Sequence, residues 1–388
     1  MAVMLLFGIG LSLISSVGAR GASSYGHSSS PLRLLDLRRS PLARCMDGTP
    51  AGFYWKPATS ANSTSWVLHL EGGGECATAE DCQRSAKILR LGSSMFFPRT
   101  RTWEYFLVND LASVNPDFHD WHMVYLPYCS QDLWTGQRTE ADDSTFGFHF
   151  SGHHILKAVL DELERYPALV TSNSDWSLAK ASNIVVTGES AGGFGVYANL
   201  DHIARWYPSA EVVGAPIGGL EFYAWKYAGP GQTIGTYPES ETLTDFSMAA
   251  MPAHVELWRS ALNEECLAAH PGHPGACILM CALPPYGWKF IKSRLFIISA
   301  QSDAVVLTKH NKFPYLLPWC RYNEEQLTYL QDFHRNETVC LEDAMDASNT
   351  NVGVFNPACF IHVEFKDHIH IAGMSYRKAF ADFFFRRG

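Results

Sequence analysis

Residues 188–192 read Gly-Glu-Ser-Ala-Gly, the Gly-x-Ser-x-Gly spacing that sets a serine on a sharp turn. A short β-branched run, residues 184–187, precedes the motif, and a helix-compatible segment follows it. This strand–turn–helix context makes Ser190 a candidate nucleophile, because small residues two positions to either side leave room for the turn. A helix beginning near Ala191 would aim its free N–H groups at the oxyanion formed when the serine attacks an ester. A glycine-rich turn with an incidental serine is the alternative.

A serine nucleophile needs a general base, and the base needs an orienting carboxylate. With this elbow the chain order is Ser, then Asp or Glu, then His. Asp303 directly follows the apolar strand predicted at residues 295–299, where the acid is expected, although an Asx-turn or a helix N-cap would also explain it. Three histidines near the C-terminus are candidates for the base, and their spacing alone would also allow a metal cluster: His362, His368 and His370.

Residues 70–76 form a second informative motif, Leu-Glu-Gly-Gly-Gly-Glu-Cys, directly after a strand predicted at 66–70. Glycines at such a position let a backbone N–H approach a ligand closely. An early loop of this kind can supply the second half of an oxyanion hole. A plain tight turn is the alternative.

Strands alternate with helices along the chain, which indicates an α/β fold of the α/β-hydrolase type. We expect a mostly parallel central sheet with helices on both faces. Further strands are predicted at 122–126, 212–213 and 360–365, and helices at 152–165, 375–386 and within 240–283. The 388 residues, 47% of them hydrophobic, suffice for one large core, which we assign to residues 42–388. The formal net charge of −9 and the lack of a long basic run argue against nucleic acid or anionic membranes as partners.

The N-terminal region predicts secretion. Residues 1–19 are apolar and end in Val-Gly-Ala, as in a cleaved signal peptide, and they are too short and too interrupted for a membrane span. Residues 20–41, rich in Ser, Gly and Arg, predict an unstructured lead-in. Asn62 and Asn336 begin glycosylation sequons.

Ten cysteines follow the signal peptide, and an even number in a secreted chain predicts up to five stabilising disulfides. A metal site at Cys277 and Cys281 is the less favoured alternative, since no Cys-x-x-Cys pair accompanies them. The ten residues are Cys45, Cys76, Cys82, Cys129, Cys266, Cys277, Cys281, Cys320, Cys340 and Cys359.

Over roughly residues 45–385 the chain resembles the pectin acetylesterase/Notum family of secreted α/β-hydrolase carboxylesterases. The resemblance is carried by five ordered blocks: residues 70–76, residues 128–136 (Tyr-Cys-Ser-Gln-Asp-Leu-Trp-Thr-Gly), residues 188–193, Asp303 with its flanks, and residues 357–362 (Pro-Ala-Cys-Phe-Ile-His). Within residues 128–136, Asp132 and Trp134 could line a pocket or support a structural loop.

The resemblance implies roles for particular residues. It places the nucleophile at Ser190, the acid at Asp303 and the base at His362, three residues after Cys359. It also implies a small disulfide loop between Cys76 and Cys82. The implied oxyanion donors are the backbone N–H groups of Gly73, Gly74 and Ala191.

The resemblance implies a serine ester hydrolase that works through an acyl-enzyme and needs neither cofactor nor metal. The favoured substrate is an O-acetylated polysaccharide such as pectin, because this chain has acidic Glu75 where the family's glycine-rich loop has an aromatic residue, and a carboxylate at the mouth of an acyl pocket disfavours a long lipid chain. The alternative is removal of a palmitoleoyl group from a secreted protein, as Notum does. A third possibility, from another class, is a catalytically silent binding protein on a hydrolase scaffold.

Overall fold

The structure is a computed structural model, and it describes residues 26–170, 176–220, 222, 226–227, 229, 250–270, 281–314, 321–345, 351–365 and 368–387. The predicted signal peptide lies outside these residues. No helix in the described ranges is both long enough and apolar enough to cross a bilayer.

The described residues form strands and helices along the whole length of the chain. The strands are β1 (Ser29–Pro31), β2 (Arg33–Leu34), β3 (Gly52–Lys56), β4 (Ser65–Leu70), β5 (Thr100–Thr102), β6 (Glu104–Tyr105), β7 (Val108–Asn109), β8 (His122–Leu126), β9 (Asn183–Glu189), β10 (Glu211–Ile217), β11 (Arg294–Ile298), β12 (Ser302–Asp303), β13 (Val352–Phe355) and β14 (Phe360–Ile361). The α-helices are α1 (Ala79–Lys87), α2 (Gly152–Val170), α3 (Ala191–Trp206), α4 (Met251–Trp258), α5 (Glu264–Ala269), α6 (Pro284–Gly287), α7 (Glu324–Ala344) and α8 (Tyr376–Phe385). A single π-helical turn covers Val306–His310.

The central sheet has eight strands in the order β13-β11-β10-β9-β4-β8-β3-β2. The neighbours from β13 to β8 all pair in parallel, whereas β3 and β2 are antiparallel. Strand β9 lies between β10 and β4, and it is buried from Ile184 to Glu189. A near-continuous apolar run is typical of a strand covered on both faces. The predicted α/β-hydrolase-like fold is therefore confirmed.

Alternate residues of the central strands enter two separate hydrophobic clusters. Val186 of β9 packs in the cluster that contains Leu200 of α3, whereas Val185 packs in the cluster that contains Phe380 and Phe384 of α8. Side chains of a strand point alternately to opposite faces, so the two clusters lie on the two sides of the sheet. The carboxyl end of β9 thus emerges from a core that is packed above and below it.

The lead-in predicted for residues 20–41 is wrong where strands β1 and β2 form. Strand β1 pairs with β5, and β2 pairs with β3. Ser30 is buried, and its hydroxyl accepts a hydrogen bond from Trp103 Nε1 at 3.0 Å. Composition suggested disorder because Ser and Arg are common there, but backbone pairing at a sheet edge does not require apolar side chains.

The strand predicted at 360–365 is also shorter than expected, because β14 ends at Ile361. The Glu364 carboxylate accepts hydrogen bonds from the backbone N–H groups of His362 (3.1 Å) and Val363 (3.2 Å). A side chain that takes up backbone donors in this way competes with strand pairing. The strand predicted at 122–126 has these bounds in the structure, and the other predicted strands and helices are present with shifted ends, except that residues 240–249 and 271–280 of the region 240–283 lie outside the described residues.

Three disulfides join described cysteines: Cys45–Cys129, Cys76–Cys82 and Cys266–Cys281. The second is the small loop implied by the family resemblance. Cys340 and Cys359 are free thiols, and Cys277 and Cys320 lie outside the described residues. Among the described residues, the one group with metal-ligand spacing is Cys266, His270 and Cys281, and both of its sulfur atoms are joined in a disulfide.

The disulfides close loops of very different size, with sequence separations of 84 for Cys45–Cys129 and 6 for Cys76–Cys82. The chain-entropy account therefore predicts losses of about 4–5 kcal/mol and about 2 kcal/mol in the free energy of unfolding when each pair is replaced by alanine. Guanidinium titration of the two double variants measures both losses. A larger loss for the Cys76/Cys82 variant would contradict this account.

Candidate active site

Ser190 lies on a sharp turn between the end of β9 and the start of α3. Its backbone angles are φ 56° and ψ −121°, a combination that residues other than glycine rarely adopt. The turn is fixed by two hydrogen bonds, from Ser190 N to the carbonyl of Ile217 (2.8 Å) and from Phe194 N to the carbonyl of Ser190 (3.0 Å). The Ser190 side chain makes no capping hydrogen bond to α3, whose first N–H groups begin beside Ser190.

The glycines of the elbow are required by close backbone contacts. A Cβ atom on Gly192 would lie 1.9 Å from the carbonyl oxygen of Leu70, and one on Gly188 would lie 2.6 Å from the carbonyl of Gly192. No side chain fits at either position without moving main chain. The Gly-x-Ser-x-Gly spacing thus reflects the packing of α3 against the end of β4.

The glycine-rich loop lies against the elbow. A Cβ atom on Gly72 would come within 2.5 Å of the Glu189 carbonyl oxygen and 2.9 Å of Ser190 Cβ. The next two glycines have positive φ values, 153° for Gly73 and 78° for Gly74, which glycine adopts without strain. The structure therefore brings the predicted oxyanion loop next to Ser190 and to the amino end of α3.

Asp303 and His362 meet through the small parallel sheet of β12 and β14. His362 Nδ1 lies 2.7 Å from Asp303 Oδ2 and 2.9 Å from Oδ1. Asp303 Oδ1 also accepts hydrogen bonds from the backbone N–H groups of Val305 (2.9 Å) and Val306 (3.0 Å). Asp303 therefore makes both the Asx-turn that the sequence suggested and the contact with His362. The turn holds the carboxylate in its orientation toward His362.

The imidazole of His362 is buried, and its Nε2 has no hydrogen-bond partner among the described residues. Burial alone would lower the pKa of His362, but the charge of Asp303 and its hydrogen bond outweigh burial and raise that pKa above its usual range. The other two candidates, His368 and His370, are exposed, and the structure does not bring them to Asp303.

The turn after β10 connects the elbow to His362, and sequence analysis did not single it out. Gly218 has φ 59°, and a Cβ atom there would lie 2.7 Å from the carbonyl oxygen of His362. The preceding residue, Ile217, accepts the hydrogen bond from Ser190 N. One backbone turn thus contacts both the nucleophile candidate and the base candidate. A glycine after a strand was its only signal in the sequence.

Residues 128–136 support the glycine-rich loop from beneath. Asp132 and Trp134 are both fully buried, so neither lines an open pocket. The Asp132 carboxylate accepts hydrogen bonds from Ser130 Oγ (2.7 Å), Trp134 N (3.1 Å) and Gly152 N (2.7 Å), while burial raises its pKa to about 6. The structure favours the structural-loop interpretation of this block.

Glu75 is half-buried, and its backbone pairs with Asp132 in an isolated bridge. Burial raises the pKa of the Tyr128 hydroxyl, and the nearby charges of Asp132 and Glu75 raise it further. The Tyr128 ring lies beside the glycine-rich loop, since a Cβ atom on Gly73 would come within 3.0 Å of it.

The sequence matches the Pectinacetylesterase family over residues 24–388, and the chain belongs to this family. It is similar to the palmitoleoyl-protein carboxylesterase NOTUM of Schmidtea mediterranea (29% identical over 324 residues, 82% of this chain). The chain is also similar to notum1a of Danio rerio (28% identical over 322 residues) and to NOTUM of Homo sapiens (29% identical over 330 residues), each over 82% of this chain. The matches cover 55–58% of the length of these relatives.

A buried carboxylate, Glu337 of α7, lies behind the loop that carries Asp303. It accepts hydrogen bonds from Ser299 Oγ (3.2 Å) and Asn356 Nδ2 (3.1 Å). Burial raises the pKa of Glu337 to about 8, and the charge of Asp303 adds to the effect. Glu337 is therefore protonated in the folded protein at neutral pH, and it joins α7 to the ends of β11 and β13.

We expect Glu337 to lower stability as pH rises from the ordinary glutamate range to about 8. In that window the unfolded chain releases a proton that the folded chain keeps, so the free energy of unfolding falls by up to about 1.4 kcal/mol per pH unit. Glu337→Gln keeps a neutral side chain at every pH and removes this slope. Urea titrations of both proteins at pH 5 and pH 8 measure the difference. Parallel pH dependences in the two proteins would show that Glu337 ionises normally.

Proposed function

We propose that this protein is a secreted serine carboxylic-ester hydrolase whose catalytic residues are Ser190, His362 and Asp303. The main observation in support is the arrangement of His362. Its Nδ1 bonds to Asp303, its buried Nε2 is unpaired among the described residues, and its backbone contacts the same turn that holds Ser190. Membership of the Pectinacetylesterase family and the names of the relatives agree with ester hydrolysis.

In the proposed reaction, Ser190 Oγ attacks the carbonyl carbon of the ester while His362 Nε2 takes the serine proton. Asp303 holds the imidazole in the required tautomer and stabilises the imidazolium. The backbone N–H groups of Gly73, Gly74 and Ala191 bind the oxyanion. His362 then gives its proton to the departing alkoxide, which leaves an acyl-enzyme. Water, activated by the same imidazole, releases the acid and restores Ser190.

The hydrogen bond from Ser190 Oγ to His362 Nε2 belongs to the proposed reaction complex. Catalytic hydrogen bonds are often long or misaligned without substrate and tighten in the Michaelis complex. A buried, unpaired imidazole nitrogen is costly to a folded protein. A hydrogen bond from Ser190 Oγ to His362 Nε2 would remove that cost. We therefore expect this bond to form when a bound substrate excludes water.

For the substrate, we propose O-acetyl groups on a polysaccharide such as pectin. The description of the matching family and the charge of Glu75 beside the glycine-rich loop support this choice. The second candidate is a palmitoleoyl group on a secreted protein, which the names of the similar proteins support. Secretion itself is supported by the three disulfides and by the exposed position of both sequon asparagines, Asn62 and Asn336.

Initial rates on p-nitrophenyl esters from acetate to palmitate test the activity and the acyl group together. We expect the highest kcat/KM on acetate and a loss of at least about 10³-fold in Ser190→Ala, since the nucleophile is removed. A maximum at octanoate or longer would select the palmitoleoyl candidate. Equal rates from wild type and Ser190→Ala would contradict hydrolysis by this site and leave a binding protein.

The raised pKa of His362 predicts the pH dependence of hydrolysis. The base must be neutral, so kcat/KM should rise with pH through a midpoint above the usual histidine range. Asp303→Asn removes the charge that raises this pKa, which should shift the midpoint to lower pH and reduce kcat by about 10³–10⁴-fold. A pH–rate profile of both proteins measures the midpoints, and an unshifted midpoint would exclude Asp303 as the partner of His362.

A further inference from the structure

Two acidic residues stand directly before the two halves of the proposed site. Glu71 follows the last residue of β4 and precedes the glycine-rich loop, and Glu189 ends β9 and precedes Ser190. Strands β4 and β9 are parallel neighbours, with Leu70 opposite Gly188. The two carboxylic side chains therefore leave adjacent strands at the same edge of the sheet.

Every polar group of Glu71 makes a hydrogen bond. Its backbone N–H donates to the carbonyl of Leu126 (3.1 Å), and its carbonyl accepts from Trp134 Nε1 (2.9 Å). Its carboxylate accepts from the Tyr125 hydroxyl at Oε1 (2.8 Å) and from Tyr128 N at Oε2 (2.9 Å). Four separate bonds fix the residue that begins the loop.

The loop beyond Glu71 packs closely at Gly72 and Gly73 and is open at Gly74. A Cβ atom on Gly74 would have no other atom within 4 Å, so the tip of the loop faces open space. Gly73 makes a close approach to the ring of Tyr128, whose N–H is one of the donors to Glu71. Tyr128 thus contacts both the loop, at Gly73, and the carboxylate of the residue that begins it.

Arg101 of β5 joins the two carboxylates through an aromatic ring. Its Nη1 lies 3.8 Å from Glu71 Oε1, and its guanidinium carbon lies 3.3 Å from the centroid of the Tyr125 ring. The same ring stacks with His69 at 5.1 Å, and His69 Nε2 lies 2.6 Å from Glu189 Oε2. Arg101 thus lies beside Glu71 and, across the Tyr125 ring, near the His69–Glu189 pair.

The charge of Arg101 opposes two effects that favour protonation of Glu71. Burial raises the pKa of Glu71, the charge of Arg101 lowers it and the charge of Glu189 raises it, so the pKa of Glu71 stays above its usual range. A protonated Glu71 would present an O–H group to donors that now bind a carboxylate. Loss of Arg101 would therefore loosen the two bonds that the Glu71 carboxylate makes with Tyr125 and Tyr128.

We propose that Glu71 is a positioning residue for the oxyanion loop and that Arg101, whose Nη1 lies 3.8 Å from Glu71 Oε1, is the counter-ion of its carboxylate. The inference rests on the proposed ester hydrolysis, because the loop matters only when an oxyanion forms. Glu71 acts through the backbone N–H groups of Gly73 and Gly74 and does not touch the ester itself. Its effect should appear in the transition state and hardly in substrate binding.

Glu71→Gln tests the positioning role, because it keeps the shape of the side chain and removes one acceptor oxygen. We expect kcat on p-nitrophenyl acetate to fall about 10–100-fold with KM within about 3-fold. The affinity for an alkyl boronic acid, which forms a tetrahedral adduct with a serine, should fall by a factor similar to that in kcat. A merely structural role would lower the melting temperature without moving these two quantities together.

Glu164→Gln is the matched control, since Glu164 also accepts a tyrosine hydroxyl, from Tyr207 at 2.8 Å, but lies on α2. It should leave kcat and boronic-acid affinity unchanged. Equal kcat values for Glu71→Gln and Glu164→Gln would overturn the positioning role. If Glu71→Gln does not fold, Tyr125→Phe removes one of the donors to Glu71 and should give a smaller loss of the same kind.

Arg101→Leu and Arg101→Lys test the counter-ion. Arg101→Leu should reproduce the loss of kcat seen in Glu71→Gln, and Arg101→Lys should recover at least part of it because lysine keeps the charge. An unchanged kcat in Arg101→Leu would overturn this part of the proposal. Failure of the hydrolase assignment is distinguishable from both results, because wild type and Ser190→Ala would then hydrolyse the ester equally.

Discussion

The left-handed turn at Ser190 is the constraint on which the rest of the structure depends. A non-glycine residue at φ 56° and ψ −121° costs on the order of 1–3 kcal/mol, and it persists only where its surroundings fix it. The surroundings here are the buried strand β9, the hydrogen bond to Ile217 and the contact of Gly192 with the carbonyl of Leu70. Packing of the central sheet thus offsets the backbone strain at Ser190. The strained turn leaves the Ser190 side chain partly exposed at the sheet edge.

Four neighbouring strands contribute to the site at their carboxyl ends. Strand β4 leads into the glycine-rich loop, β9 into the elbow, β10 into the turn at Gly218, and β11 toward Asp303. Parallel pairing places these ends at one edge, which is where open α/β sheets bind ligands. Each of these segments begins from a buried strand, so the position of its first residues depends on the hydrogen-bonded register of the sheet.

Sequence patterns were most informative where the determining interactions are local. The strand–turn–helix shape of the elbow could be predicted because strand, glycines and helix follow one another within residues 184–206, and Asp303 could be proposed as the acid because it comes after an apolar strand. His362 could not be chosen by pattern over His368 and His370, since burial and contact with Asp303 are tertiary properties. Only the resemblance to a family distinguished them.

The remaining features had no local signal. Arg101 lies in a short strand between exposed Thr100 and half-buried Thr102, and its relation to Glu71 exists only because β4, β5 and β8 come together in the fold. The strands within the supposed lead-in depend on partners about 20 and 70 residues away in sequence, Gly52 to Phe53 and Thr100 to Thr102. Long-range pairing of polar segments is the kind of information that composition and periodicity do not contain.

The central claim is that Ser190 carries the acyl group during hydrolysis. Acid quenching of the enzyme during turnover of p-nitrophenyl acetate, followed by peptide mass spectrometry, measures this directly. The account predicts one acetyl group on the peptide that contains Ser190 in the wild type, with more accumulating in His362→Gln if deacylation slows more than acylation. Acetylation confined to another residue, or turnover with no modified peptide in either protein, would contradict it.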